Sequence, residues 1–233
     1  MIVTENLTKQ YGDTAALTGL NLRVEPGEIL GFLGPNGAGK SNITSQPLEA
    51  KKRLGYVPET PALFETLTAD AFLDVMGALY HLDPATSRTR RGELLNLFDL
   101  GPARFQRIRE FSKGMKQKVI IVSALLHRPE VLILDEPFDG IDANSALVMK
   151  GLLKQMAAQG RTILFSSHIL EVVERICTRV CIIDKGRVVA EGTAPEICRS
   201  FRVATLDEAF GQLTGIRAAA DVTADILAAL DRG

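Results

Sequence analysis

The residues Gly34-Pro35-Asn36-Gly37-Ala38-Gly39-Lys40-Ser41 match the pattern GxxxxGK[ST] in full. Such a loop is a phosphate cradle. Its glycines let the backbone N–H groups around Asn36, Gly37, Ala38 and Gly39 converge on one concavity, Lys40 reaches the β and γ phosphates, and the Ser41 hydroxyl is a ligand for Mg2+. A second feature is the acidic pair Asp135-Glu136, which closes the apolar run Val131-Leu132-Ile133-Leu134. Carboxylates at the C-terminal end of a parallel strand lie beside the phosphate loop of a neighbouring strand. There Asp135 can hold Mg2+, directly or through water, and Glu136 can polarise an attacking water. A third is Ser112, the natural N-cap of a helix whose apolar face is Met115, Val119, Val122 and Leu126. The free N–H groups of that first turn, its half positive charge and the neighbouring Lys113 make a second anion site. His168 follows the run Thr162–Phe165 and is a fourth candidate. Taken singly, these have plainer readings: a glycine-rich turn, a solvated strand end, a capped helix and a surface histidine. Together they point to phosphoryl chemistry.

The elements needed to position these residues can be read from the pattern. Short β-rich runs at Ile2–Thr4, Leu22–Val24 and Glu28–Leu33 come first, and the third leads directly into the phosphate loop. Phe72, Val75, Met76 and Leu79 fall at helical spacing, and Leu94, Leu95 and Phe98 suggest a second helix. No strand is evident from Leu67 to Ile121, so a helical insertion is expected there. The run 131–134 reads as a strand buried on both faces of a parallel sheet, and Thr162–Phe165 repeats it. Leu147, Leu152, Leu153 and Met156 fit a crossover helix between the two. A hairpin is expected at Val180–Ile183 and Val188–Ala190 around Asp184-Lys185-Gly186-Arg187, followed by helices near 195–201 and 206–213. The alanine-rich tail from Gly215 is expected to be helical.

Composition narrows the class. The 233 residues are 46% hydrophobic and 24% charged, as in ordinary globular chains, and 27 basic residues oppose 28 acidic ones. Nothing in that balance calls for a nucleic-acid partner. Cys177, Cys181 and Cys198 lack metal or redox spacing and suit reduced thiols packed as small hydrophobes. The longest apolar run, Val119–Leu126, is far short of the ~20 residues that span a bilayer. The start MIVTENLTKQ lacks the features of a signal peptide, so a cytoplasmic location is expected.

Tyr11, the phosphate loop, Ser112-Lys113-Gly114-Met115, the strand ending Asp135-Glu136, Gly140-Ile141-Asp142 and Ser166-Ser167-His168 occur in this order. The set resembles the nucleotide-binding subunit of an ATP-binding cassette (ABC) transporter, over roughly residues 1 to 215. The resemblance implies an α/β fold. A P-loop NTPase core with a mainly parallel sheet would carry an N-terminal antiparallel β part and an inserted helical subdomain at about 62–128, with a tail at 216–233. It further implies ATP and Mg2+ as cofactors, transmembrane permease subunits as partners, and a peripheral place at the inner face of the cell membrane. Two copies would meet head to tail, with each ATP between the P-loop of one and the Ser112 helix of the other. Tyr11 would stack on adenine, Ser112 and Gly114 would face the partner's nucleotide, Asp142 would communicate across the dimer, and His168 would contact the γ phosphate. Two departures stand out. The family's LSGGQ is Phe111-Ser112-Lys113-Gly114-Met115 here, and its Mg2+-sensing glutamine is Glu59, which ligates through oxygen but cannot donate when ionised. Both variants resemble simple bacterial export-type cassettes. The basic cluster Arg104, Arg107, Arg109, Lys113, Lys116 and Lys118 is open to two readings, a partner-facing or phosphate-facing surface and a merely solvated one.

The stretch after the phosphate loop is too short. A helix should start at Ser41 and cross to another strand, which takes about twenty residues. Only Asn42–Gln46 precede Pro47, which disfavours continuing a helix. We expect about twenty residues to be missing between Ser41 and Asn42 in the sequence as read, the alternative being a true deletion that leaves a defective ATPase. A Mg2+-dependent ATP hydrolase powering an exporter is therefore the expected activity. The competing readings are a soluble cassette ATPase acting on DNA or ribosomes and a regulatory module without turnover. The first tends to show a second cassette, a coiled-coil insertion or zinc-binding cysteines, and Glu136 argues against the second.

Overall fold

The structure, a computed structural model, describes residues 1–11, 14–34 and 51–215, with Thr223, Leu227, Ala229 and Leu230 of the tail. Asn36, Gly37, Ala38, Gly39, Lys40 and Ser41 lie outside the described residues, as does the side chain of Tyr11. The chain forms two compact units: Met1–Ile2, Val24–Ile29 and Ile43–Ser166 in the first, and Val3–Arg23, Leu30–Asn42 and Ser167–Gly233 in the second.

Three parallel strands run through the first unit. Strand β4 (Leu54–Val57) pairs with β5 (Val131–Asp135), placing Gly55 beside Leu132 and Val57 beside Leu134. Strand β5 pairs in turn with β6 (Thr162–Ser166), with Asp135 beside Ser166. Both apolar runs read from the sequence are strands, each one residue longer than expected. Strand β4 was not foreseen, because four residues with a glycine among them give no alternation to read. Its glycine is required by packing: a Cβ on Gly55 would lie 2.4 Å from the Ala124 carbonyl oxygen. Strand β6 is buried throughout, whereas β5 corrects the expectation of burial on both faces. Leu132 and Leu134 are buried, but Val131 and Ile133 are only half-buried. Their register partners Leu54 and Tyr56 are also incompletely covered, so one face of the β4–β5 pair is only partly shielded from solvent.

No strand falls between Val57 and Val131, where the helices α1 (Ala69–Leu79), α2 (Pro84–Leu97) and α3 (Lys113–Leu126) lie. Each begins at a side-chain cap, with Thr68 accepting from Ala71 N, Asp83 from Thr86 N and Ser112 from Met115 N. The buried face of α1 is Ala69, Phe72, Leu73 and Gly77 rather than the expected stripe, and Val75 and Leu79 are exposed. Small residues decide that face, because a Cβ on Gly77 would come 2.2 Å from Ser87 Oγ. Asp70 accepts from Arg91 and Arg104, tying α1 to α2 and to the chain that follows. Helix α3 is buried without interruption from Gln117 to Leu126, so it is a central helix and not a one-faced amphipath. The crossover helix α4 (Ala143–Ala158) is present, but its buried face is Ser145, Met149, Leu153 and Ala157, and Leu147 points to solvent.

In the second unit, β1 (Ile2–Tyr11) and β2 (Thr14–Val24) form a two-stranded antiparallel sheet. Only the apolar ends of these strands were legible, since threonines and asparagines fill their middles. Strand β3 (Ile29–Leu33), buried along its length, pairs in parallel with β7 (Arg179–Asp184), and β7 turns into β8 (Arg187–Gly192). Lys185 and Gly186 both have positive φ, as a two-residue hairpin turn of right-handed strands demands. Helix α5 (Leu170–Ile176) packs against Gly31, where a Cβ would meet Val173 Cγ1 at 2.7 Å. Helices α6 (Ala194–Phe201) and α7 (Leu206–Thr214) follow. All three cysteines are free, and burial pushes the Cys177 and Cys181 thiols up to about 12, which fits inert packed thiols.

Candidate nucleotide-binding site

Asp135 is the last residue of β5 and accepts a hydrogen bond from Ser166 Oγ at 2.5 Å, across the register that β6 provides. Glu136 follows with φ of 46°, a left-handed conformation that a glutamate adopts only at a cost of about 1–3 kcal/mol. Its amide donates to the Ser166 carbonyl and its own carbonyl accepts from Asp139 N, so the surrounding backbone holds the turn. Among the described residues six others outside glycine, Asp99 included, share a positive φ, so the conformation fixes where the Glu136 side chain starts without by itself marking a site.

The turn continues through Gly140, at φ of 73°, to Asp142, which caps α4 by accepting from Ser145 N and Ser145 Oγ at 2.8 Å each. Lys118 of α3, almost completely buried, places its ammonium 2.7 Å from Asp142 Oδ2, the oxygen that also accepts from Ser145 Oγ. That hydrogen bond, then those from Ser145, hold the Asp142 carboxyl well below the usual carboxylate range. The N-terminus of α3 meets the same turn. A Cβ on Gly114 would sit 2.3 Å from the Gly140 carbonyl oxygen, so the backbones touch there. The structure thus brings together Asp135 at the strand end and Glu136 and Asp142 on the turn after it, and lays Gly114 against that turn, two residues beyond the cap Ser112.

The basic cluster is resolved by its partners. Lys113 pairs with Asp139 at 2.6 Å, Lys116 with Glu65 at 2.6 Å, Lys118 with Asp142, Arg104 with Asp70, and Arg109 with Glu110 at 3.8 Å. Five of the six cations therefore face carboxylates. Lys113 does not stand free as an added charge for a bound anion, which corrects the expectation drawn from its position.

Glu59 is exposed and lies two residues beyond β4, on the side where β5 ends in Asp135. Sequence reasoning overlooked Tyr56. Its phenol is pushed up by burial, then by the negative charges of Asp135 and Glu59, so both carboxylates act on one hydroxyl. A tyrosine three residues before a candidate ligand was the available signal. His168 is exposed and belongs to the second unit, where Ser167 Oγ accepts from Ile169 N beside it.

Carboxylate oxygens such as those of Asp135 and Glu59 are the hard donors that Mg2+ prefers. No group of three His, Cys, Asp or Glu suited to a metal occurs among the described residues. A donor set this sparse fits Mg2+, which takes one or two carboxylates and completes its octahedron with phosphates and waters.

A phosphate-loop sequence, an acidic strand end and a capped helix packed on the turn after that strand are parts that P-loop nucleotide hydrolases of the α/β class combine. The family described as "ABC transporter" matches residues 43–139. The linearmycin resistance ATP-binding protein LnrL of Bacillus subtilis (strain 168) is 36% identical, over 95% of this chain and 80% of that protein. The Nod factor export ATP-binding protein I of Paraburkholderia xenovorans (strain LB400) is 32% identical, over 89% of this chain and 75% of its own length. A solved structure described as the ATP binding subunit of an ABC transporter superposes with a TM-score of 0.82 at 33% identity, covering 90% of this chain and 97% of that one. The chain belongs to the ABC transporter ATP-binding family. It is an ATP hydrolase, the ATP-binding subunit of such a transporter.

These matches also carry a length difference. The match to LnrL runs over 252 residues but takes up only 95% of the 233 here, about 221, leaving about 30 positions of the relative without a counterpart. The match to the Nod factor export protein, 229 residues over 89% of this chain, leaves about 20. No described helix is long and apolar enough to cross a membrane.

Proposed function

We propose that this subunit drives export of a solute, working as a head-to-tail pair of copies on transmembrane permease subunits at the inner face of the cell membrane. The observation that carries the reading is the turn 135–142, which sets the strained Glu136 and the capping Asp142 on one rigid piece with the N-terminus of α3. Export, in particular, is supported by the Nod factor export relative.

Within this reading Asn36, Gly37, Ala38, Gly39 and Lys40 grip the phosphates. Ser41 and Asp135, with Glu59 near them, hold Mg2+, which when bound neutralises charge between the phosphates. Glu136 polarises the attacking water, and its strained backbone fixes where the carboxylate stands. His168 contacts the γ phosphate and Tyr11 stacks on adenine. Ser112, Gly114 and Asp142 serve the nucleotide of the other copy, since a helix N-terminus offers unpaired N–H groups and partial positive charge to an anion. The ATPase domain spans residues 1–215, with the helices of 62–128 as its inserted subdomain.

The reading includes a missing segment of about twenty residues between Ser41 and Asn42. Three observations support it: the short run before Pro47, the length by which relatives exceed this chain, and the half-covered face of Leu54, Tyr56, Val131 and Ile133. A helix starting at the phosphate loop has an apolar side to bury, and this face is incompletely covered.

The subunit isolated from its own membranes tests the whole reading. It is expected to co-purify with a polytopic membrane protein and to hydrolyse ATP, and Glu136→Gln is expected to lower turnover by about 100-fold to 10,000-fold with ATP still bound. Unchanged turnover in that variant, or purification with ribosomes or DNA in place of a membrane protein, contradicts it.

A further inference from the structure

Lys113 occupies a position where the family's signature carries a glycine, and the structure gives the lysine a definite task. Its aliphatic stem lies along Gly140: a Cβ built there would meet Lys113 Cγ and Cδ at 3.3 Å each and Cε at 3.6 Å. Its ammonium continues past the glycine to Asp139, 2.6 Å away. At the other end of the same turn Lys118 holds Asp142, and between the two ends Gly114 rests on the Gly140 carbonyl. The turn 139–142 is thus fastened to α3 at both ends and in its middle. Within it, Ile141 N donates to Phe138 O at 3.3 Å, a long bond that gains from outside support.

We propose that Lys113 and Asp139 form a strap that holds the turn 139–142 on the N-terminus of α3, making Ser112 and Asp142 move as one piece. Lys113 is a positioning residue in this scheme, not a phosphate ligand. The side chain that stands in place of the signature glycine meets an aspartate on the loop it crosses. The strap rests on the proposed dimer for its consequence: a copy that presents Ser112 and Asp142 together meets its partner's nucleotide with less ordering left to do.

Lys113→Met keeps the stem and removes the charge, Asp139→Asn removes the other charge at equal size, and Lys113→Glu/Asp139→Lys exchanges them. Amide hydrogen exchange of residues 138–142 in the nucleotide-free protein reads the strap directly. Each single variant is expected to speed exchange about two- to fivefold, the range of an exposed ion pair, and the exchanged pair to recover most of the protection. In ATP hydrolysis the single variants are expected to raise KM for ATP with kcat nearly unchanged, and the exchanged pair to bring KM back. Equal exchange rates in wild type and both single variants overturn the strap, as does an exchanged pair no better than the singles. The exchange experiment needs no nucleotide, so it decides this point even if the dimer reading fails.

Discussion

The turn–helix region at residues 111–142 and the strand β4 (Leu54–Val57) differ in how fully their side chains are covered and partnered. In the first, Lys113, Lys116 and Lys118 each have a carboxylate partner, the turn after β5 is fastened at both ends, and two backbones touch where only Gly114 permits it. In the second, β4 has its Gly55 side closed against α3, but Leu54 and Tyr56 on the other side are incompletely covered, with Tyr56 39% exposed. The contrast is between a region closed by its own residues and a sheet face left incompletely covered. A close approach locked by glycine needs only the residues on either side of it. A sheet face needs a whole element to cover it.

The contrast breaks most completely if the short stretch after the phosphate loop is not short in the cell. Mass spectrometry of the polypeptide from its own source is expected to give a value about 2 kDa above the 25.3 kDa of this sequence, from about twenty residues at the chain's mean residue mass. A chain with a helix-forming segment restored after Ser41 is expected to bind ATP about two orders of magnitude more tightly than the 233-residue chain. The dipole and the first-turn amides of that helix supply the gain. Equal affinity in calorimetry would remove the reason for the segment.

A smaller effect sharpens the other side of β4. Gly55→Val places side-chain atoms where the Ala124 carbonyl already stands, and the expected cost is roughly 1–3 kcal/mol in urea unfolding. Tyr56→Leu, on the half-covered face, is expected to change stability by under about 1 kcal/mol.

The smallest effect concerns Lys118 and Asp142. The folded state depresses the Asp142 pKa, so its contribution is complete above the ordinary aspartate value and is lost as pH falls through the folded value. Lys118→Met is expected to remove the largest cause of that depression. Unfolding midpoints followed from neutral pH into the acid range should then fall less steeply in the variant than in the wild type.

Much of this was legible beforehand, for particular reasons. The run 131–134 announced a strand because four consecutive apolar residues between Pro129 and Asp135 have few other uses, and the short β-prone run 162–165 repeated it. Ser112 and the acidic pair were legible because capping and strand-end chemistry depend on single residue types. The faces of α1 and α4 were misread because Ala69, Gly77 and Ser145 are buried by close helix contact, which hydrophobicity does not register. The pairing of Lys113 with Asp139 joins residues 26 apart, a distance at which the sequence offers charges but no partner. Strands β1 and β2 showed only their ends, since a polar ladder looks like a loop until its pairing is known.

The central claim is that two copies enclose ATP between the phosphate loop of one and the α3 N-terminus of the other. Light scattering of the Glu136→Gln subunit with Mg-ATP measures it most directly. The account predicts a species of two subunits that retains ATP and returns to single subunits when ATP is removed. Single subunits at saturating Mg-ATP, with ATP bound, would contradict it.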